Sequence, residues 1–351
     1  MESTDSIANI KRIVAPRLDL PHAHGLPPAS GKLRQSPEDF QVEELLGFEP
    51  EGEGEHLWLW LEKCRVNTDQ VARQLAKIAG VRLGEVGYAG LKDRNAITRQ
   101  WFSIRLPKTD MDRAAQWEAE QWRVLRAVRG RRKIRRGGLK GNRFFITLRE
   151  LNGDKHLIEE RLKDIMKRGV PNYFGEQRFG RDNIELAEAM ARGELNVPDR
   201  HLRGIYLSSL RSVLFNTVLA RRVLDDIWDL ALKGEALNLD GSRSFFVEDD
   251  IDDTVLKRLA IGDIHPTGPL WGRGEPQSRS EARAFELSCI EACPEIWKQS
   301  CIDAGMRQER RPLRICVQGM EWRWLSDHLL QLKFSLPAGA YATVVLREIV
   351  E

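Results

Sequence analysis

The hydrophobic period of this chain changes twice, and that change restricts its folds more than any other feature. Residues 56–64, HLWLWLEKC, are apolar almost throughout and read as a buried strand. Residues 96–106, AITRQWFSIRL, and 143–150, RFFITLRE, show the β-branched and aromatic mix of strands. PEDFQVEELLGF (37–48) reads as a strand entered through a proline. From about residue 155 the spacing becomes helical. Leu157, Ile158, Leu162, Ile165 and Met166 fit one helix ending near Gly169. A longer helix is expected over 210–232, through Leu210, Val213, Leu214, Thr217, Val218 and Leu224, and another helical stretch over about 280–305. Past Pro312 strand character returns, with alternation in HLLQLKFSL (328–336); the final YATVVLREIV fits strand or helix. At 351 residues the chain has room for two domains, and an α-rich segment inserted into an α+β unit is the economical reading.

Local signals support this frame. Asn67 is placed to cap a helix, with Gln70 as its capping-box partner, Val71, Leu75 and Ile78 as its apolar stripe and Gly80 as its stop. No run approaches the roughly 18 apolar residues a membrane helix needs, and the first twenty residues lack an apolar signal-peptide core. A cytoplasmic, monomeric protein is expected. The cysteines, Cys64, Cys289, Cys293, Cys301 and Cys316, are odd in number and widely spaced, so they suggest buried or inert thiols rather than a disulfide framework or a zinc site. His22 and His24 lie in a proline-flanked segment that reads as a flexible terminus. Glu43–Glu44 and Asp225–Asp226 read as solvated faces.

The net charge is only +3, but residues 121–150 hold eleven Lys/Arg and one acid, Glu150. Such a local positive field is the footprint of a polyanion site, against the plainer reading of a solvated basic face. Within it, RAVRGRRKIRRGGLKGNRFF (126–145) has glycines that let backbone approach phosphates and ends in Asn142, Arg143, Phe144 and Phe145. Asn can bond a base edge, and an aromatic face can stack on an unpaired base. On a strand the two phenylalanines point opposite ways, so at most one faces a ligand. GYAGLKDRNAITRQWF (87–102) carries a lone acid, Asp93, between Lys92 and Arg94, after Gly87 and Gly90. It is either a polar loop acid or a carboxylate held for nucleophilic or base chemistry. GxxxxGK[ST], GxSxG and HExxH are all absent.

Together these residues resemble the TruD family of tRNA pseudouridine synthases. AGLKDRNAITRQW is similar to its catalytic signature, KGNRFF to its base-contacting strand and PNYFGEQRFG (171–180) to the motif opening its inserted domain. SLRSVLFNTVLARR and SLPAGAYATVVLRE are similar to further family segments. The resemblance implies a pseudouridine-synthase-type catalytic domain with a mixed, mainly antiparallel sheet (1–167 and 316–351), interrupted by an inserted α-rich TRUD domain (168–315). It implies that Asp93 is catalytic, that Phe144 stacks on the target uracil and that Asn142 contacts it. Phe40 and Tyr341 match substrate-contacting positions, and Arg34 a basic residue that pairs with the aspartate. Arg131, Arg132, Arg135, Arg136 and Lys140 are candidate grips on the RNA backbone; Lys92 and Arg94 either grip it too, keep Asp93 ionised or point away from it; and Arg178 and Arg181 either contact phosphates or pair with Glu176 and Asp182. The implied reaction converts a uridine of tRNA, expected at position 13, to pseudouridine, with no metal or cofactor. The alternative is a non-catalytic RNA-binding or RNA-folding protein using the same basic cleft.

Overall fold

The computed structural model describes residues 20–108, 111–180 and 182–351. The described residues divide into two compact units. The sheet unit takes residues 28–158, 317–340 and 350–351; the helical unit takes the rest.

In the sheet unit the chain forms β1 (Ala29–Lys32), β2 (Phe40–Leu45), β3 (His56–Lys63), β4 (Val86–Tyr88), β5 (Ile97–Arg105), β6 (Glu118–Ala119), β7 (Trp122–Gly130) and β8 (Gly141–Gly153), then returns as Gln318–Ser326 and Leu329–Pro337. The order across the sheet is Gln318–Ser326, Leu329–Pro337, β8, β2, β5, β3, β7, β6, with β1 paired to β8 and β4 to β5. Among the strand pairs of the described residues, β2 with β5 is the parallel one and the rest are antiparallel. Distant sequence meets in register on one face: Phe144 lies between Val42 and Phe334, and Asn142 between Glu44 and Leu336.

β3 shows why HLWLWLEKC lacks alternation. Leu57, Leu59 and Leu61 pack with Val71 and Leu75 of the helix Thr68–Ala79, while Trp58, on the other face, packs with Trp101 and Ile134. Each such side chain, fully buried, contributes about 1.5–3 kcal/mol. The helix starts at the Asn67–Gln70 capping box and stops at Gly80, whose φ is +68°. Ile78 departs from the expected stripe and is exposed.

In the helix Lys155–Arg168, Ile158, Leu162 and Ile165 are buried, but Leu157 and Met166 face solvent. The long helix is Arg200–Leu224, earlier than expected because Asp199 caps it by accepting from the His201 and Leu202 amides. The stretch 280–305 is two helices, Ser280–Glu291 and Glu295–Asp303, parted at Pro294, and the terminal stretch contains the helix Ala342–Leu346. The helical unit also contains an antiparallel sheet of Phe245–Glu248, Glu235–Leu239, Ile264–Leu270 and Glu309–Pro312. Helical periodicity hid these short strands, and two prolines, Pro266 and Pro269, disguise Ile264–Leu270. Asp252, one of five acids in residues 248–253, caps the helix Asp253–Ala260 by accepting from the Val255 amide. Cys289 and Cys293 are buried thiols, pushed up to about 12 and about 11 by desolvation.

Residues 20–27, 159–167 and 341–349 belong to the helical unit. Hydrogen bonds explain the first and last. Arg347 donates to the Leu20 and Pro21 carbonyls, and Glu348 accepts from the Ala23 and His24 amides. The expected flexible terminus is therefore tied down where it is described. The His24 ring bonds the Gly169 carbonyl at 2.8 Å and stands edge-on to Trp228.

Candidate active site

The segment from Ala89 to Ala96 leaves β4 and enters β5. Its backbone is bonded at almost every step. Gln100 donates to the Gly90 carbonyl at 3.1 Å, and the Lys92 amide donates to Thr68 Oγ1 at 3.0 Å. The Arg94 carbonyl accepts from the Arg65 amide at 2.8 Å. The buried Lys63 ammonium donates to the Asp93 carbonyl at 2.8 Å. Gly87 is required by a close approach, because a Cβ there would lie 2.4 Å from the Ile134 carbonyl oxygen. Gly90 has no such constraint: its Cβ would meet nothing nearer than 3.5 Å.

The Asp93 carboxylate emerges from this braced loop with 30% of its side chain exposed. One oxygen accepts from the Asn95 amide at 3.0 Å, a local Asx-type turn. The other accepts from Arg34 Nη1 at 3.1 Å. Arg34 occupies a left-handed backbone conformation, φ +56°, which is strained for a long side chain. Its guanidinium also lies 4.0 Å from the centre of the Phe40 ring. Phe40 stands edge-on to Phe144 at 6.1 Å, and Phe144 meets Phe334 at 5.5 Å. Asp93, Arg34, Phe40 and Phe144 thus form one continuous chain of contacts, built from three separate stretches of sequence. Phe144 is 6% exposed and offers only a margin of its ring. On the same face, Asn142 Oδ1 is buried with no hydrogen-bond partner among the described residues. An orphaned buried acceptor is uncommon and points to a missing donor.

The two cations flanking Asp93 bond other partners. Lys92 Nζ is bonded to Glu44 Oε1 at 3.0 Å, with side-chain exposures of 6% and 0%. Its ammonium is buried against Glu44. Glu44 is likewise not a solvated acid: it also accepts from the Trp101 amide at 3.1 Å. The signal was present in FQVEEL, where Glu44 is in phase with the core residues Phe40 and Val42. Arg94 is exposed and bonds the Arg65 carbonyl rather than Asp93.

Arg131, Arg132, Arg135, Arg136 and Lys140 are all exposed. Arg131 pairs with Glu53, Arg132 lies 5.1 Å from the Phe48 ring, and Arg136 covers Tyr88 at 3.8 Å while reaching Asp69. Arg73, Lys133, Arg135, Arg136 and Tyr88 line a cavity of about 570 Å³. The Tyr88 hydroxyl, partly desolvated and donating to Asp69, is pushed up to about 12. In the helical unit, Tyr341 stands at the N-cap position of the helix Ala342–Leu346, and Arg178 bonds the hydroxyls of Ser208 and Ser212. Arg181 lies outside the described residues.

A mixed sheet bearing one braced aspartate, an aromatic pair and an exposed basic segment is the architecture of a pseudouridine-synthase-type α+β protein. A structure described as a putative tRNA pseudouridine synthase D from Methanosarcina mazei has the same fold, with a TM-score of 0.74 over 94% of this chain and 95% of that one, at 21% identity. The family model for tRNA pseudouridine synthase D (TruD) matches residues 21–196 and 185–349. Proteins named tRNA pseudouridine synthase D are 44% identical in Hydrogenovibrio crunogenus (94% of this chain, 95% of that one) and 49% in Nitrosococcus oceani (93% and 92%). The chain belongs to the TruD family.

Proposed function

We propose that this protein isomerises a uridine of tRNA, at position 13, to pseudouridine, with Asp93 as the catalytic carboxylate. The N1–C1′ bond breaks, the uracil turns over, C5 bonds to C1′, and the C5 proton is lost as N1 gains one. The reaction is redox-neutral and consumes no group donor, so acids and bases of the chain suffice without metal or cofactor. The observation that carries this reading is the Arg34–Asp93 contact at 3.1 Å, which fixes a solvent-reachable carboxylate beside Phe40 and Phe144. The target base must leave its stack to reach that carboxylate. Phe40 and the margin of Phe144 then offer it an apolar wall, and Asn142 Oδ1 an acceptor for an imide N–H. Arg94, Arg131, Arg132, Arg135, Arg136 and Lys140 grip the RNA backbone, and Arg178 a phosphate. The protein works as a cytoplasmic monomer, and the sequence-defined parts, 1–167 with 316–351 and 168–315, act as catalytic and inserted domains.

Asp93→Asn and Asp93→Ala are expected to cut pseudouridine formation by at least about a hundredfold while melting temperature and tRNA affinity stay close to wild type. Chemical mapping of pseudouridine in tRNA incubated with each protein reads the outcome. Substantial turnover by either variant removes Asp93 from its role.

A further inference from the structure

Lys63 ends β3 beneath the Asp93 loop, and nothing in the chemistry above employs it. The residue is 1% exposed. Its ammonium donates to the main-chain carbonyls of Val66 at 2.9 Å, Asp93 at 2.8 Å and Lys92 at 3.4 Å, matching its three hydrogens with three neutral acceptors. A buried ammonium held by neutral oxygens is costly, and an apolar side chain of similar volume is often the more stable choice. The groups facing it are Asp93, Lys92 and Cys64. Burial pushes the ammonium down to about 8; the Asp93 carboxylate and the Cys64 thiol oppose that fall, and Lys92 adds to it.

We propose that Lys63 is a positioning residue for the isomerisation: while protonated, it draws the Lys92 and Asp93 carbonyls inward and so fixes the backbone rotation from which the Asp93 carboxylate meets substrate. The proposal rests on Asp93 being catalytic. At Asp93 the carbonyl is held by Lys63 and the carboxylate by Asn95 and Arg34, which leaves the residue little rotational freedom. A neutral amine has one donor fewer and no charge, so the carbonyls loosen, and a misplacement of about 1 Å can cost about a hundredfold in rate. The loop is thus released as pH rises through about 8. The fold is not weakened by this titration. A lysine whose pKa is lower in the folded than in the unfolded chain destabilises the fold when charged, so its contribution to stability rises between about 8 and the ordinary value of 10.5. A rate that falls there while stability does not is the mark of positioning.

The test is the single-turnover rate of pseudouridine formation on unmodified tRNA between about pH 6 and 9.5, for wild type, Lys63→Met, Lys63→Arg and Asp93→Asn, with tRNA affinity and melting measured alongside. Lys63→Met is expected to keep tRNA affinity within about threefold and lose at least about thirtyfold in rate at pH 7. The wild-type rate is expected to fall above pH 8, and the Lys63→Arg limb, with its guanidinium still charged, to lie at least about one pH unit higher. Coincident limbs, or a Lys63→Met rate within about threefold of wild type, overturn the proposal. If neither Lys63 variant folds, the wild-type Lys63 ammonium resonance decides: a midpoint matching the rate limb supports the role, and one at the ordinary 10.5 ends it. An active Asp93→Asn removes the reading of Asp93 and this proposal together; an inactive one beside an unaffected Lys63→Met removes only Lys63.

Discussion

Glu44 has one carboxylate oxygen on Lys92 Nζ and the other on the Trp101 amide, with no side-chain exposure. Replacing Lys92 by Met strands that charge in the core. Lys92→Met is expected to cost about 3–5 kcal/mol in urea unfolding, more than any direct effect on tRNA affinity, and Lys92→Met with Glu44→Leu to recover most of it. A loss confined to tRNA affinity would instead restore Lys92 as an RNA contact. The sequence placed Lys92 and Arg94 around Asp93 because they are its neighbours, yet Lys92 turns inward and Arg94 outward. The cation that meets Asp93 is Arg34, from another strand connection, held at positive φ. Only the family resemblance named it; no local pattern pairs residues 59 apart. Lys63 was legible only as the end of an apolar run, since its partners are backbone carbonyls, which no sequence pattern displays.

At the level of elements, Gly87 and Gly90 look equivalent in the sequence and are not. A Cβ at position 87 would overlap the Ile134 carbonyl oxygen at 2.4 Å and Ser103 Oγ at 2.7 Å, where β4 packs beside the segment that carries the arginines. Gly87→Ala is therefore expected to lower stability by about 1–3 kcal/mol or more, whereas Gly90→Ala should stay within about 0.5 kcal/mol. Thermal melts of the two variants check the contrast, and equal effects would mean that β4 shifts freely. Element existence was legible where one signal dominated: Asn67, Gln70 and Gly80 bound their helix as expected. It failed where tertiary pairing decides. Phe245–Glu248 and Ile264–Leu270 both pair with Glu235–Leu239, which lies between them, and Ile264–Leu270 pairs on its other side with Glu309–Pro312.

Across the whole molecule, the ratio of eleven cations to one acid in residues 121–150 overstates the free charge. The turn before β3 brings its acids to this segment: Glu53 pairs with Arg131, Glu51 accepts from the Arg131 amide, and Glu49 lies 3.9 Å from Arg126. From the other side, Asp69 meets Arg136. These pairs are exposed, and such pairs hold by only about 0–1 kcal/mol, so an RNA phosphate can displace the carboxylate at little cost. The charge pattern itself was readable in the sequence, but its neutralising partners come from elsewhere in the chain and were not. A graded result follows for tRNA binding measured between about 50 and 200 mM salt. Arg132→Gln and Arg135→Gln should each flatten the log–log salt dependence by up to about 0.9 for every phosphate the side chain no longer neutralises. Arg131→Gln should do less, because its removal also frees Glu53. Glu53→Gln should tighten binding by a few-fold, about 1 kcal/mol at most, because Arg131 no longer has to be released. Unchanged slopes in all four variants would make the segment a solvated face and move the RNA-binding surface elsewhere on the protein.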